Sequence, residues 1–225
     1  MTIVLKRAET RKRGSGGRPT REEALRREEL MLSSATQLFI ERGFDATSMD
    51  AVAEAAGVSK PTLYARYADK RALFAAVLRS RIEAWLAPVS AAAEAHAKEA
   101  GPKDLPSALD ELSAALLASS RQPGAAALKR CIAAQALHFP ELARLAHEEG
   151  WLRAVRAVAV LLERFAKSGE VSLADPDLAA ELFLNLLLGG SSRLALYGID
   201  VDVKSQEQRR RAAIDLFLNG IRGAA

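Results

Sequence analysis

The chain has 225 residues, 49% of them hydrophobic and only 5% aromatic. That apolar content is enough for a substantial core and excludes wholesale disorder. Its weight in Ala and Leu favours packed helices over a sandwich or barrel. The net charge of +4 is uneven, because residues 1–18 carry +5 and the rest −1, and by halves residues 1–82 carry +6 and 83–225 carry −2. A basic front and a slightly acidic back imply two jobs, the front facing a polyanion.

A single cysteine, Cys131, excludes an internal disulfide and a cysteine zinc cluster, and fits a reducing compartment. No apolar run approaches the ~18 residues of a membrane span. The short stretch Ile3-Val4-Leu5 precedes the positive charges, the reverse of a secretory leader. These features predict a soluble cytoplasmic protein with no membrane partner.

Residues 1–19 read as a flexible basic arm, with Gly14, Gly16, Gly17 and Pro19 and no apolar periodicity. Met31, Ala35, Leu38 and Phe39 then recur at helical spacing, predicting a first helix over 24–42 stopped at Gly43. Thr47 with Asp50 three residues on resembles a capping box for a short second helix, which Gly57 ends. Ser59 is a good N-cap for a third, where Pro61 is tolerated in the first turn. Asp69 caps a fourth at 69–86, with Pro88 beyond it. Further helices are predicted at 107–120, 125–138, 140–167, 176–197 and 205–222, separated by Gly and Pro breakers. The fold class is therefore all-α, with about nine helices and no strand.

Two short helices joined by a glycine turn form the helix-turn-helix layout, in which the second helix enters the major groove. Val52, Ala53, Ala56, Val58 and Leu63 point inward to hold the pair. Lys60, Pro61, Thr62, Tyr64, Ala65 and Arg66 make up the outward face of the second.

The stretch TSMDAVAEAAGVSKPTLYARYADKRALF, residues 47–74, resembles the DNA-binding signature of TetR-family transcriptional regulators. Residues 139–190 are more loosely similar to the ligand-binding domains of multidrug-efflux repressors in that family, through FPELARLAHEEG and DPDLAAELFLNLLLGG. The resemblance implies a three-helix head at 20–68 and a ligand-binding and dimerisation domain at 69–225. It implies phosphate contacts for Thr47, Ser48, Tyr64 and Lys70, and base contacts for Lys60, Pro61 and Thr62. Arg66 departs from the family's usual histidine or aromatic and reaches either a phosphate or an acid. Tyr64 has a plainer alternative, covering apolar surface with its hydroxyl wet. Arg11, Lys12, Arg13 and Arg18 are either a solvated tail or an arm entering the minor groove.

The same resemblance implies a homodimer on a double-stranded DNA operator. The apolar stripes of the last two helices are the candidate interface: Leu178, Leu182, Leu186, Gly189, Ile214, Phe217, Leu218 and Ile221. It also implies a pocket for a hydrophobic or aromatic effector lined by Trp85, Leu116, Cys131, Gln135, His138, Phe139, Trp151, Val155 and Phe183, most of them equally suited to plain core. Of His138, Glu141 and His147, the last two are six apart, which is not a same-face spacing and makes a chance cluster the expected reading, and no catalytic motif or cofactor signature occurs. The expected function is a repressor released by a small molecule. The alternatives are a sequence-indifferent DNA-packaging protein and a small-molecule binding protein without specific DNA function.

Overall fold

Most helix starts among the described residues are marked by side chains that accept first-turn amides. The structure, a computed structural model, describes residues 20–98 and 104–221. Among them are ten α-helices: α1 (Arg21–Ala46), α2 (Met49–Ala55), α3 (Lys60–Arg66), α4 (Lys70–Ala97), α5 (Leu105–Ser120), α6 (Ala125–Gln135), α7 (Pro140–Ala146), α8 (Leu152–Lys167), α9 (Pro176–Leu196) and α10 (Val203–Ile221). Thr20 and Glu23 form a reciprocal capping box on α1, while Asp69, Asp104 and Asp175 cap α4, α5 and α9. The all-α expectation holds.

Three boundaries differ from the sequence reading. The cap of α2 is Ser48, whose Oγ accepts from Ala51 N–H at 3.1 Å, one residue later than the Thr47 capping box. The fourth helix runs through Pro88 to Ala97. Pro88 is exposed, so its lost hydrogen bond faces water, while Val89 and His96 on the next turns are buried in the core and hold the helix on course. The single helix expected over 140–167 is divided by a π-helical turn at His147–Trp151. Gly150 passes against Ile82 there, and the ion pairs Arg79–Glu149 and Arg153–Glu83 tie the turn and the start of α8 to α4.

α4 is the spine, packing on α1, α5, α7 and α8; α8 then lies on α9, and α10 covers α9 and α5. Ala154, Ala157, Ala159, Ala179 and Ala180 are all buried, and these small side chains let α8 and α9 approach closely. Arg210 pins α10 to α5 by donating to the Asp110 carboxylate at 2.7 Å and to Ser113 Oγ at 3.2 Å.

His96 is 1% exposed, and neither ring nitrogen has a hydrogen-bond partner. Glu111 of α5 stands 3.9 Å from its Nε2, and Arg164 of α8 donates to its carbonyl. Burial pushes the imidazole below its ordinary value of 6.5, more than Glu111 pulls it up. The unfolded chain therefore takes up this proton more readily than the folded one, so stability is full above about pH 6.5 and declines below it. His96→Leu should flatten that decline in urea-midpoint measurements against pH; an identical pH profile would contradict it.

Candidate nucleic-acid interface

α2 and α3 meet across the turn Ala56–Ser59. Gly57 lies at φ 65°, in the left-handed region that favours glycine, and Val58 N–H donates back to Ala53 O at 3.0 Å. Val52, Ala53, Ala56 and Leu63 are buried, and Tyr67 closes the end of α3 at 6% exposed. Leu63 is the one buried side chain of α3. The remaining six residues, Lys60, Pro61, Thr62, Tyr64, Ala65 and Arg66, are all exposed. A seven-residue helix held by one anchor thus offers nearly its whole surface to a groove.

Several of these side chains are already engaged. Lys60 Nζ sits 2.6 Å from Asp50 Oδ2, and the hydrogen bond to that carboxylate raises the lysine pKa. Arg66 is paired with Glu28 on α1, the acid of its two expected alternatives. Thr62 Oγ1 shares a 2.7 Å hydrogen bond with Ser59 Oγ, and Tyr64 is 49% exposed. Ser48 is exposed beside α3 while capping α2. The sequence reading gave Asp50 only a capping part and Glu28 none, because no spacing rule links residues 10 or 38 apart.

Of the expected phosphate contacts, Thr47 is corrected, and Lys70 has a structural engagement of its own. Thr47 is 2% exposed, and its hydroxyl donates inward, with Gly43 O at 2.7 Å and Leu38 O at 3.2 Å. It stitches the break in α1 at Gly43, where φ is 79°. Lys70 turns its ammonium onto Phe44 O at 2.8 Å and Asp45 O at 3.1 Å, 4.5 Å from the Phe44 ring centroid. The last turn of α1 has no basic residue of its own, so Lys70 supplies the cation for those carbonyls. Lys70→Met should therefore lower stability by about 1–3 kcal/mol. Unchanged unfolding with only a shallower salt dependence of DNA binding would favour the phosphate role over this one. Arg11, Lys12, Arg13 and Arg18 lie outside the described residues.

The nine residues expected to line one pocket are instead dispersed. Leu116, Val155 and Phe183 are buried in the core. Trp85 and Trp151 are half-buried at the core edge, and His138 is exposed. Cys131, Gln135 and Phe139 grip the head: Cys131 Sγ meets Phe39 O at 3.6 Å, and Gln135 Nε2 donates to Asp45 at 2.9 Å. Phe139 packs tilted against Phe44, centroids 5.6 Å apart, and lies under Arg71. Burial pushes the Cys131 thiol up, as suits a small core side chain. Four surface clefts of about 370 to 680 Å³ are lined by none of the nine.

The expected interface residues also divide. Leu178, Leu182 and Leu186 are exposed along one face of α9, with Gly189 half-buried in line. Ile214, Phe217 and Leu218 face their own chain, Phe217 lying 5.0 Å from Phe183, which corrects their assignment to a partner surface; Ile221 is half-buried. The outward face of α10 carries Leu216, 63% exposed, and Ala212. No helix among the described residues is long and apolar enough to cross a membrane.

Comparison with known proteins gives the same reading of both halves. Residues 31–77 match the family described as bacterial regulatory proteins, tetR family, and residues 107–220 match the AefR-like transcriptional repressor C-terminal domain. A solved TetR-family regulator from Mesorhizobium loti superposes with a TM-score of 0.82 at 26% identity, over 90% of this chain and 99% of its own. The flavonoid-responsive regulator FrrA is 33% identical, with a TM-score of 0.69, over 89% of this chain and 99% of its own. Among curated relatives, the activator FasR of Mycolicibacterium smegmatis is 37% identical over 78 residues, 35% of this chain and 36% of its own length. The regulator RutR of Escherichia coli is 42% identical over 74 residues, 33% of this chain and 35% of its own. These alignments thus span about a third of the curated relatives' length. With the two matched regions reaching from the head through α10, the chain belongs to the TetR family of transcriptional regulators.

Proposed function

We propose that the protein is a homodimeric repressor whose two α3 helices read a palindromic operator, and that a small, largely apolar effector releases it. The carrying observation is the α3 face, with six exposed residues on one buried anchor. Residues 20–68 form the reading head and 69–225 the effector and dimer domain, joined through α4. The exposed row Leu178, Leu182, Leu186 and Leu216 supports pairing of α9 and α10 with a second copy, because such a row is rarely left in water. The likeness of the C-terminal half to an AefR-like repressor domain supports repression, and the flavonoid-responsive neighbour supports release by a small molecule. Release requires an effector that binds the DNA-free arrangement more tightly than the DNA-bound one.

Selection of bound fragments from sheared genomic DNA at two salt concentrations tests this reading. One palindrome surviving high salt is the expected result; uniform, salt-sensitive recovery would mean packaging. On the selected operator, Thr62→Ala should cost about 1–3 kcal/mol and leave random DNA unaffected. Equal loss on both would remove Thr62 from base reading.

A further inference from the structure

Between the start of α6 and the end of α9 lies a cleft of about 520 Å³, within the size range of small-molecule sites. Its floor reaches Ile40 of α1, and Ala126, Ile199 and Val201 give it apolar walls. Arg121, Lys129 and Arg130 bring three positive charges to it against the single carboxylate of Asp200. Among the described residues, neither Lys129 nor Arg130 forms an ion pair. Lys129 Nζ is 3.1 Å from Ser192 Oγ, and Arg130 donates to Ala195 O at 2.9 Å. Lys129 is an exposed residue overall, and partial desolvation of its ammonium lowers its pKa. α6 begins without a side-chain cap, so the positive end of its dipole opens on the same space.

A second, independent feature points into this cleft. Gln206, on α10, lines it and is only 8% exposed, and its Oε1 is buried without a hydrogen bond. Buried polar atoms are normally satisfied, so an orphaned acceptor in a cavity wall marks the place of an absent donor.

We propose that this cleft binds a small organic anion with an apolar body, its charge held by Lys129 and Arg130 and a hydroxyl or N–H donating to Gln206. The proposal rests on the reading of the chain as a ligand-responsive regulator and places the effector away from the nine residues first expected to line its pocket, of which Leu116, Val155 and Phe183 are core. The position explains how a ligand reaches the head. Gly124, at φ 81°, abuts α1 so closely that a Cβ there would fall 2.1 Å from Ile40 Cδ1. A molecule wedged on Ile40 therefore pushes α1 three residues before its break at Gly43.

The probe is 8-anilinonaphthalene-1-sulfonate, an aromatic anion, with uncharged N-phenyl-1-naphthylamine as its control, titrated by fluorescence on the full chain. Saturable binding of the anion is expected, weakened about tenfold or more by Lys129→Gln with Arg130→Gln, with the uncharged control little changed. Ala126→Phe, which fills the cleft, should abolish binding of both; circular dichroism melts verify that each variant folds. Arg153→Gln, which removes a cation elsewhere, should change neither. Anion binding that is absent, or indifferent to Lys129 and Arg130, overturns the proposal. Anisotropy on the selected operator separates the two readings. Operator release by the anion that survives the double variant keeps the regulated reading and removes the cleft. Cleft binding without any change in operator affinity keeps the site and removes its regulatory part.

Discussion

Phe39→Ala is expected to lower the unfolding free energy by about 3–5 kcal/mol. Phe39 is fully buried, edge-on to Phe74 of α4 at 4.8 Å and stacked on Phe44 at 5.9 Å. Its carbonyl also receives the Cys131 thiol of α6. The ring thus joins α1 to α4, with α6 held at its backbone, and the space left by its loss is walled by rigid aromatic neighbours that collapse poorly into it. The urea midpoint should fall without a change in slope, since the folded state stays compact. Phe39→Leu should lose a fraction of that. A midpoint shift equivalent to less than about 1 kcal/mol would mean that the ring cluster does not hold the head to the body.

Leu63→Ala should cost about 2–5 kcal/mol, with its effect concentrated on DNA reading. Seven residues are too few for an isolated helix, so α3 depends on this one side chain for its orientation. The prediction is a loss of operator affinity at temperatures where circular dichroism still reports a folded body. Leu63→Met, which conserves volume, should recover most of it. If operator affinity and global melting fall strictly together, α3 does not loosen independently of the rest.

What the sequence disclosed follows the reach of the rule being used. Ser59, Pro61 and Asp69 were legible because capping and first-turn proline are decided within four residues, and the structure has all three in place. Thr47 and Ser48 are adjacent hydroxyls, either of which suits a cap; burial against Leu38 O and Gly43 O decided between them, and that is tertiary information. Pro88 looked like a terminus because its local cost is real, but packing on both sides of it outweighs that cost. The contacts that join head to body, Gln135 with Asp45 and Phe139 with Phe44, span some 90 residues and leave no periodic trace. The stripe of Ile214, Phe217 and Leu218 correctly announced a buried face without saying which surface covers it. The cleft stayed hidden for a compositional reason: alanine, serine, lysine and glutamine line it, and none of them signals a site in a linear reading.

The carboxylates that hold Lys60 and Arg66 have a consequence for how the protein travels along a chromosome. A cation releases condensed counterions from the duplex only when it is free to replace them, each phosphate contact contributing about 0.9 to the salt exponent. Two cations of each head arrive already neutralised by Asp50 and Glu28. On the proposed reading, the grip on arbitrary sequence would be lighter and residence there briefer, which favours sliding and hopping. A base edge that competes with Asp50 for the Lys60 ammonium would lengthen the complex's life. The internal pair would then act as a small threshold that the cognate site must exceed.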